Sequence, residues 1–293
     1  MESTTIGGIG VSPIGLGTSR LASLGARHSL RDATRLLDAA SDLGVTFIDT
    51  ADTYGSTTCE RWLGAAMSRR PHRFAVATKC GLPTAHLRGP MRSLNQPVKK
   101  VLQRIGPAHY LDPEYVRRSI DGSLRRLRRE RIEFYFLHSP PSGVERMDGL
   151  FEVLDQAKKQ GKIAVYGVSS EDDLQIVEAA ARVRNCKVAQ TAGNLSRAKE
   201  LTAFLGATPD VGDLELIANH VLNGGAASDN DPRKPWAGVS PGQSGLNRAQ
   251  LLIRHAAALP RVKVVLVGTS NAAHLAEAVA ALATPAGQED LLV

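Results

Sequence analysis

Cysteines, long apolar runs and targeting signals are scarce or missing in this chain of 293 residues. Its three cysteines, Cys59, Cys80 and Cys186, are odd in number and widely spaced, which excludes a disulfide framework and a CxxC metal or redox site. No apolar run approaches the roughly 18 residues that a membrane-spanning helix needs, and the first five residues lack the basic and apolar parts of a signal peptide. We therefore expect a cytoplasmic protein without a membrane partner.

Acidic residues are outnumbered by basic ones, 29 to 36, which gives a net charge of +7. This excess of basic residues raises the hypothesis that the protein binds nucleic acid. Much of the arginine, however, lies in residues 117–131, where Ile120, Leu124 and Leu127 recur at helical spacing. The arginines then form the outer face of an amphipathic helix, and no recognised DNA- or RNA-binding motif accompanies them. We expect no nucleic-acid partner, and we expect the basic surface to attract an anionic cofactor.

Short apolar runs alternate with longer amphipathic segments along the whole chain. The segment GGIGVSPIGLG predicts a hairpin and a first strand, and further strands are predicted near residues 45–50, 74–79, 132–138, 163–168, 187–191, 214–218 and 262–267. An amphipathic helix is predicted after each barrel strand, so eight strand-helix units are available, with right-handed parallel crossovers. We predict an α/β fold in which residues 1–293 form a single (β/α)8 TIM barrel domain with a short N-terminal β-hairpin. A doubly wound open sheet is the alternative, but no complete GxGxxG turn follows the first strand.

Three predicted strands end in polar residues that together suggest acid-base chemistry. FIDTADTYG places Asp49 and Tyr54 at such an end, FAVATKCG places Lys79, and FYFLHSP places His138. The C-terminal strand ends of a parallel barrel form one face, so these four groups can converge there. A nearby ammonium lowers the pKa of a phenol, so Lys79 would tune Tyr54. Asp49 would hold Lys79 charged, and His138 would orient a substrate oxygen.

Strand alternation supports this placement, because each polar residue shares its predicted face with apolar neighbours. The pairs are Val45 and Phe47 with Asp49, Ala75 and Ala77 with Lys79, and Phe134 and Phe136 with His138. Each of the four residues also has an ordinary structural interpretation, such as a helix cap, a loop aromatic, a surface lysine or a satisfied histidine. It is much less plausible that all four residues have only such ordinary roles than that one of them does.

These segments resemble the aldo/keto reductase family, from GVSPIGLGTSR near the N-terminus to VKVVLVGTSNAAHLAEAV near the C-terminus. The specific part is the spacing from Asp49 to Tyr54, followed in order by Thr78-Lys79, Leu137-His138 and Gly167-Val168-Ser169. The resemblance implies that a nicotinamide dinucleotide lies extended across the barrel mouth. It also implies that Tyr54 gives a proton to a small-molecule carbonyl substrate. The cofactor supplies the hydride.

The resemblance also implies a cofactor-binding set. Ser169, Ser170 and Gln190 would bind the carboxamide, and Thr18 would lie near the nicotinamide ribose. Leu222 and the turn Gly268-Thr269-Ser270 would contact the pyrophosphate or the adenine ribose, with His274 and Glu277 further along. The serines and this turn also suit helix N-termini, where phosphates commonly bind.

This sequence departs from the family pattern around the cofactor. Ser170 replaces a common asparagine, Asn219 stands where an aromatic usually stacks on the nicotinamide, and Gly193 replaces a common tyrosine. Basic residues that often bind the 2′-phosphate are absent from the turn after the last strand, which leaves Ser270 and His274. NADP (NADPH) is the expected cofactor, and NAD stays open.

Two long connections, residues 81–110 and 223–247, are expected on the active face. They carry candidate pocket residues, namely His86, Met91, Leu102, Tyr110 and Trp236. The main alternatives to carbonyl reduction are a sugar or alcohol dehydrogenase working toward oxidation and a cofactor-binding regulatory protein with little turnover. The sequence leaves the natural substrate and the oligomeric state open.

Overall fold

The structure, a computed structural model, describes residues 2–22, 28–68, 74–84, 98, 101, 111–140, 144–182, 186–208, 211–223 and 245–283. The strands are β1 (Thr4–Ile6), β2 (Ile9–Val11), β3 (Ile14–Gly17), β4 (Phe47–Asp49), β5 (Ala75–Cys80), β6 (Ile132–His138), β7 (Ile163–Ser169), β8 (Val188–Ala192), β9 (Glu215–Asn219) and β10 (Val262–Gly268). The helices are α1 (Leu30–Asp42), α2 (Thr58–Met67), α3 (Pro113–Leu127), α4 (Val144–Lys159), α5 (Leu174–Arg182), α6 (Ala198–Ala207), α7 (Arg248–Ala258) and α8 (Ala272–Ala283).

Strands β3 to β10 close into a barrel in the order β10-β3-β4-β5-β6-β7-β8-β9, and every neighbouring pair is parallel. Strands β1 and β2 form a separate antiparallel hairpin. The predicted (β/α)8 barrel with its N-terminal hairpin is therefore confirmed. The open-sheet alternative is wrong, because β10 pairs with β3 and leaves no sheet edge.

Local signals in the sequence set several helix boundaries. Ser29 begins α1 in a capping box, in which its hydroxyl accepts from the Asp32 amide and the Asp32 carboxylate accepts from the Ser29 amide. Asn247 and Gln250 form the same arrangement at the start of α7. Asp112 caps α3, and Pro113 occupies the first helical position, where its missing N–H costs nothing. These caps direct each chain segment away from the barrel rim.

The barrel has an inner and an outer core. The inner core contains Phe47, Ala75, Ala77, Phe134 and Phe136, as strand alternation predicted. Ile6 and Val11 of the hairpin also belong to it, so the hairpin closes the end of the barrel opposite the predicted active face. Val45 belongs to the outer core instead, because it precedes β4 and does not follow its alternation.

Helix α3 carries part of the arginine cluster at residues 117–131. Ile120, Leu124 and Leu127 are buried and the neighbouring arginines face outward, which confirms the amphipathic interpretation. Arg126 differs, because it forms an ion pair with the fully buried Glu60 of α2. The Glu60 carboxylate also accepts a hydrogen bond of 2.8 Å from Thr78 in β5. The contacts of the Glu60 carboxylate therefore link α2 to α3 and to β5.

The described cysteines are buried thiols. Burial raises the pKa of the Cys80 thiol well above its ordinary value and raises that of Cys186 to about 12. Over the described ranges, no helix combines the length and apolarity that crossing a bilayer requires.

Candidate active site

A buried ion pair lies at the centre of the barrel mouth. Asp49 ends β4, and Lys79 lies one residue before the end of β5. The Lys79 Nζ lies 2.6 Å and 2.7 Å from the two carboxylate oxygens of Asp49, and it donates to the Thr50 carbonyl at 3.0 Å. Both side chains are almost completely buried. Three acceptors therefore fix the ammonium in one position, which a surface lysine would not have.

Tyr54 and His138 lie beside this pair. The Tyr54 ring centroid is 5.2 Å from Lys79 Nζ and 6.4 Å from the His138 ring centroid. The two rings are nearly perpendicular, at 83°. Tyr54 occupies a tight turn after β4, in which Gly55, Ser56 and Thr57 all have positive φ. The fold thus brings the four predicted catalytic residues together from three loci that are distant in sequence.

The environment of Tyr54 keeps its phenol protonated. Burial raises the pKa of Tyr54 well above 10, and the carboxylates of Asp49 and Glu171 raise it further. This direction is opposite to the lowering by Lys79 that the sequence predicts. The physical reason is that Asp49 neutralises Lys79, so the pair presents little net charge to the phenol. A protonated phenol is the form that a proton donor requires.

A second layer of polar residues holds Asp49. Gln190 in β8 donates from Nε2 to Asp49 Oδ1 at 2.7 Å, and the Ser169 hydroxyl donates to Gln190 Oε1 at 3.1 Å. The Thr18 hydroxyl donates to the Asp49 carbonyl at 2.9 Å. Register places His138, Ser169 and Gln190 opposite one another on β6, β7 and β8. Gln190 therefore contacts the Asp49 carboxylate directly, and Ser169 is linked to it through Gln190.

A cavity of about 440 Å³ opens over this face, and Asp49, Tyr54 and Lys79 form part of its wall. Six residues predicted to bind a cofactor also line it: Asn219, Leu222, Gly268, Thr269, His274 and Glu277. The cavity runs from the ion pair to the end of β10 and the first turns of α8. These six residues thus lie along one cavity wall.

The other predicted cofactor residues lie below or beside this wall. Thr18, Ser169, Ser170 and Gln190 are buried, and His138 is buried next to Tyr54. The Ser170 hydroxyl donates to the Asp173 carbonyl at 2.9 Å, just before α5. At the other end, Asn271 caps α8 by accepting from the Ala273 amide, and Thr269 in turn accepts from the Asn271 amide. Ser270 adjoins this cap and is partly exposed.

Three charged residues of the cavity wall were not predicted from the sequence: Arg20, Glu171 and His220. Arg20 follows β3 directly after Thr18-Ser19, and the other two directly follow Ser170 and Asn219. The signal that would have found them is position, since each lies just past a strand end that already carries a predicted site residue. The five loop candidates, His86, Met91, Leu102, Tyr110 and Trp236, lie outside the described residues.

The model of the aldo/keto reductase family matches residues 13–238, which span most of the barrel. The chain belongs to the aldo/keto reductase family. Members of this family are NAD(P)-dependent oxidoreductases. The resemblance of the motifs around Asp49, Tyr54, Lys79 and His138 is thereby confirmed at the level of the family.

Three relatives place this aldo/keto reductase among known proteins. The chain is 29% identical to a 6-dehydroglucose reductase of Novosphingobium aromaticivorans over 97% of its own length and 90% of that protein. It superposes with a TM-score of 0.78 on the holo form of aldo-keto reductase AKR11C1 from Bacillus halodurans, at 22% identity, covering 99% of this chain and 94% of the other. An aldo-keto reductase from Klebsiella pneumoniae in complex with NADPH gives a TM-score of 0.72 at 22% identity, with 99% and 93% covered. Several further relatives align over less than half of their own length.

Gly193 shows why this aldo/keto reductase lacks the usual tyrosine after β8. A Cβ at Gly193 would lie 2.5 Å from the Ala218 Cβ, which is closer than two carbons can approach. The Gly193 amide instead donates to the Asn219 carbonyl at 3.0 Å. Strands β8 and β9 therefore approach each other closely at the rim. Asn219 lies in the cavity wall at this point.

A second carboxyl, Asp52, belongs to the turn that carries Tyr54 in this aldo/keto reductase. Its amide donates to the Lys79 carbonyl at 3.1 Å, and its Oδ2 accepts from the Tyr115 hydroxyl at 3.2 Å. Among the described residues no hydrogen-bond donor reaches its buried Oδ1. Burial, and then the nearby Glu60 carboxylate, raise the pKa of Asp52 to about 7.

Ionisation of Asp52 is expected to lower stability near neutral pH. The unfolded chain loses this proton near pH 3.9, whereas the folded protein keeps it to about pH 7. The free energy of unfolding therefore falls as pH rises between these values and levels off above them. Asp52→Asn should remove this fall and stabilise the protein at pH 8 by about 2–4 kcal/mol. Urea unfolding at pH 5 and pH 8 measures it, and an equal fall in both proteins would contradict it.

Proposed function

We propose that this aldo/keto reductase reduces an aldehyde or ketone to an alcohol with NAD(P)H, and that Tyr54 is the proton donor. The supporting observation is the position of Tyr54 in the cavity wall, beside the fixed Lys79–Asp49 pair. The whole chain, residues 1–293, is proposed to act as one barrel domain. The substrate is proposed to be a small molecule that enters the same cavity.

The cavity suits an extended dinucleotide. Gly17 of β3 and Gly268 of β10 meet in its wall, and a Cβ on Gly17 would lie 3.3 Å from the Gly268 Cα. The backbone there can approach a ligand closely, and the N-terminus of α8 next to it favours an anionic group such as a phosphate. We propose that Gly268, Thr269 and Leu222 hold the phosphate end, with Asn219 at the nicotinamide end. The bound cofactor would supply the hydride that the carbonyl carbon accepts.

Each catalytic residue has a proposed role that follows from its contacts. Tyr54 holds a proton at its phenol oxygen until the carbonyl oxygen gains negative charge, and then donates it. Lys79 lies where its ammonium stabilises the phenolate that remains, and Asp49 keeps that ammonium charged and in place. His138, whose ring lies perpendicular to Tyr54, orients the carbonyl oxygen toward the phenol.

The reverse reaction uses the same groups, because Tyr54 as phenolate would accept the proton of an alcohol. A dehydrogenase working toward oxidation is therefore the second candidate for this site. The relative from Novosphingobium aromaticivorans is called a reductase of a dehydroglucose, which favours reduction as the proposed direction. A regulatory protein with little turnover has less support, because Asp49, Tyr54, Lys79 and His138 lie side by side at the barrel mouth.

A steady-state assay tests the proposed function. Consumption of NADPH and NADH is followed with a panel of aldehydes and ketones, and the oxidation of the corresponding alcohols with NADP⁺ and NAD⁺. We expect carbonyl-dependent consumption with a kcat in the usual enzymatic range, above about 1 s⁻¹. Binding of NADPH without turnover of any carbonyl or alcohol would instead support the regulatory alternative.

Discrimination between NADPH and NADH is expected to be modest. Strong selection of a 2′-phosphate needs a positive charge, best supplied by arginine or lysine. In the cavity wall near Gly268, the described cations are His274 and Arg20. Arg261 and Lys263 lie at the opposite end of β10, so they cannot reach this end of the cavity. A histidine is a weaker partner for a phosphate than arginine or lysine, so we expect a small NADPH preference.

Dissociation constants of NADPH and NADH measure this preference in the wild type, His274→Ala and Arg20→Ala. The preference should stay below about 100-fold in the wild type and fall further in His274→Ala. A preference above about 100-fold that survives His274→Ala contradicts the prediction. If Arg20→Ala then removes it, Arg20 binds the phosphate.

A further inference from the structure

The turn that carries Tyr54 is strained, and backbone hydrogen bonds of Asp52 hold it closed. Residues 55–57 have φ values of 60°, 49° and 71°, in the left-handed region that costs energy for a residue with a side chain. The Thr57 amide donates to the Asp52 carbonyl at 2.7 Å, and the Asp52 amide donates to the Lys79 carbonyl at 3.1 Å. Asp52 thus ties the beginning of the turn to β5 and its end to the residue that begins α2.

The side chain of Asp52 is placed where a charge is poorly solvated. The residue is only 2% exposed. Its Oδ2 accepts from the Tyr115 hydroxyl of α3 at 3.2 Å, and no donor from the described ranges reaches its buried Oδ1. A carboxylate can accept about four hydrogen bonds, so most of its capacity would be unused here. The site therefore suits a neutral carboxyl better than a charged one.

The charges around Asp52 also favour its neutral form. The Glu60 carboxylate of α2 repels a charge on Asp52, and the Arg126 guanidinium of α3, which attracts it, is paired with Glu60. Burial and Glu60 together raise the pKa of Asp52 to about 7. The Lys79–Asp49 pair adds little net charge. Three further titratable groups interact with Asp52, and burial raises the pKa of each so that all stay neutral: Tyr115 of α3, Cys80 of β5 and Tyr135 of β6.

We propose that Asp52 is a positioning residue whose neutral carboxyl holds the turn with Tyr54 closed, and that its ionisation opens the turn and slows carbonyl reduction. Asp52 loses its proton to water, and the carboxylate gains hydration only if the turn opens locally. Opening moves Tyr54 away from the Lys79–Asp49 pair. The inference rests on the proposed role of Tyr54 and adds a pH-dependent control of its position.

This fall in rate near neutral pH is distinct from the basic limb that Tyr54 itself sets. Burial raises the pKa of Tyr54 well above 10, so the loss of its own proton occurs at much higher pH than the ionisation of Asp52. A substitution at Asp52 should therefore change the first step and leave the second in place.

The kinetic test compares kcat at pH 6 and pH 8.5 in the wild type and in variants of this cluster. A group with a pKa of about 7 is only about 3% protonated at pH 8.5, so the ratio of the two kcat values should be at least about fivefold larger in the wild type than in Asp52→Asn, whose amide stays neutral. Tyr115→Phe removes a hydrogen bond that stabilises the carboxylate, so it should move the fall to higher pH. Asp121→Asn, on the outer surface of α3, is the matched control and should keep the wild-type ratio.

Amide hydrogen exchange of the free protein, followed by NMR, separates this inference from the proposed function because it requires no turnover. After correction for intrinsic base catalysis, the amides of residues 52 and 57 should lose protection at least about threefold between pH 6 and pH 8.5 in the wild type and keep it in Asp52→Asn. The Val45 amide, which donates to the Ala40 carbonyl before β4, is the internal control.

Selective loss of protection at the turn supports the inference even if no carbonyl is reduced, which would overturn only the proposed function. An equal loss at the Val45 amide would mean that the whole protein unfolds, and it would overturn the inference. Equal kcat ratios in the wild type and Asp52→Asn, or exchange at the turn that does not depend on pH, would also overturn it and leave carbonyl reduction intact.

Discussion

Tyr54→Phe is expected to lower kcat for carbonyl reduction by about 10²-fold to 10⁴-fold, the usual cost of losing a general acid. The substitution removes only the phenol oxygen, and the ring keeps its place between Lys79 and His138. The dissociation constant of NADPH should change little, because the phenol acts on the carbonyl oxygen. Steady-state kinetics and a cofactor titration on the same preparation measure both quantities.

Tyr166→Phe is the matched control for this prediction. Tyr166 is a buried tyrosine of β7 that donates to Asp155 Oδ1 at 2.6 Å in the outer core. Its loss should lower stability, by about 1 kcal/mol for one hydrogen bond, without changing kcat. Near-normal kcat in Tyr54→Phe, with intact cofactor binding, would remove Tyr54 from the mechanism.

Lys79→Met and Asp49→Asn are expected to lower kcat strongly and without additivity, because both act through Tyr54. Removing one partner of a buried ion pair leaves an uncompensated charge, at a typical cost of 3–5 kcal/mol in stability. The double variant removes both charges, so it should be more stable than Lys79→Met alone. It should also lose much less activity than the product of the two single losses.

The two single substitutions should move the pH–rate profile in opposite directions. Lys79→Met leaves the Asp49 carboxylate unopposed, which raises the pKa of Tyr54 further and moves the basic limb to higher pH. Asp49→Asn leaves the Lys79 ammonium unopposed, which favours the phenolate and moves that limb to lower pH. Rates of carbonyl reduction from pH 6 to pH 10 measure the shift, with thermal unfolding as the check on folding.

The exposed pair Lys162–Asp121 supplies the control for this cycle. Its atoms Nζ and Oδ1 are 2.8 Å apart on the outer surface, far from the cavity, so neutralising either partner should leave the profile in place. Additive losses in the Asp49–Lys79 cycle, or shifts of both single variants in one direction, would show that the pair does not act on Tyr54 as a unit.

Much of the barrel and of the candidate active site could be predicted from the sequence, because both depend on local patterns. Alternation of apolar residues placed Phe47, Ala77 and Phe134 in the inner core, and polar strand ends placed Asp49 and Lys79 at the rim. Strand boundaries moved by one or two residues, since pairing with neighbours, not hydrophobicity, decides where a strand ends. Val45 was predicted to share a face with Phe47 and Asp49, but it lies before β4 and packs in the outer core.

The electrostatics of the site could not be predicted, because they depend on distances between residues that are far apart in sequence. The sequence suggested a lowered pKa for Tyr54, but it could not show that Asp49 lies within 2.7 Å of Lys79 and cancels its charge. Nor could it show that Glu171 and His220, which are 49 positions apart, form a pair in the same wall. Ser169 and Gln190 were predicted to bind the cofactor, and their observed contacts are with each other and with Asp49.

The most direct test of carbonyl reduction at this site follows the hydrogen that is transferred. The protein is incubated with glyceraldehyde and with NADPH that carries deuterium in both positions at C4 of the nicotinamide, and the alcohol is analysed by mass spectrometry. We expect one deuterium on the former carbonyl carbon in the wild-type reaction, and at least a 10²-fold slower formation of this product with Tyr54→Phe. Oxidation of NADPH that leaves no deuterium in the alcohol, or labelling at an equal rate by the two proteins, would contradict it.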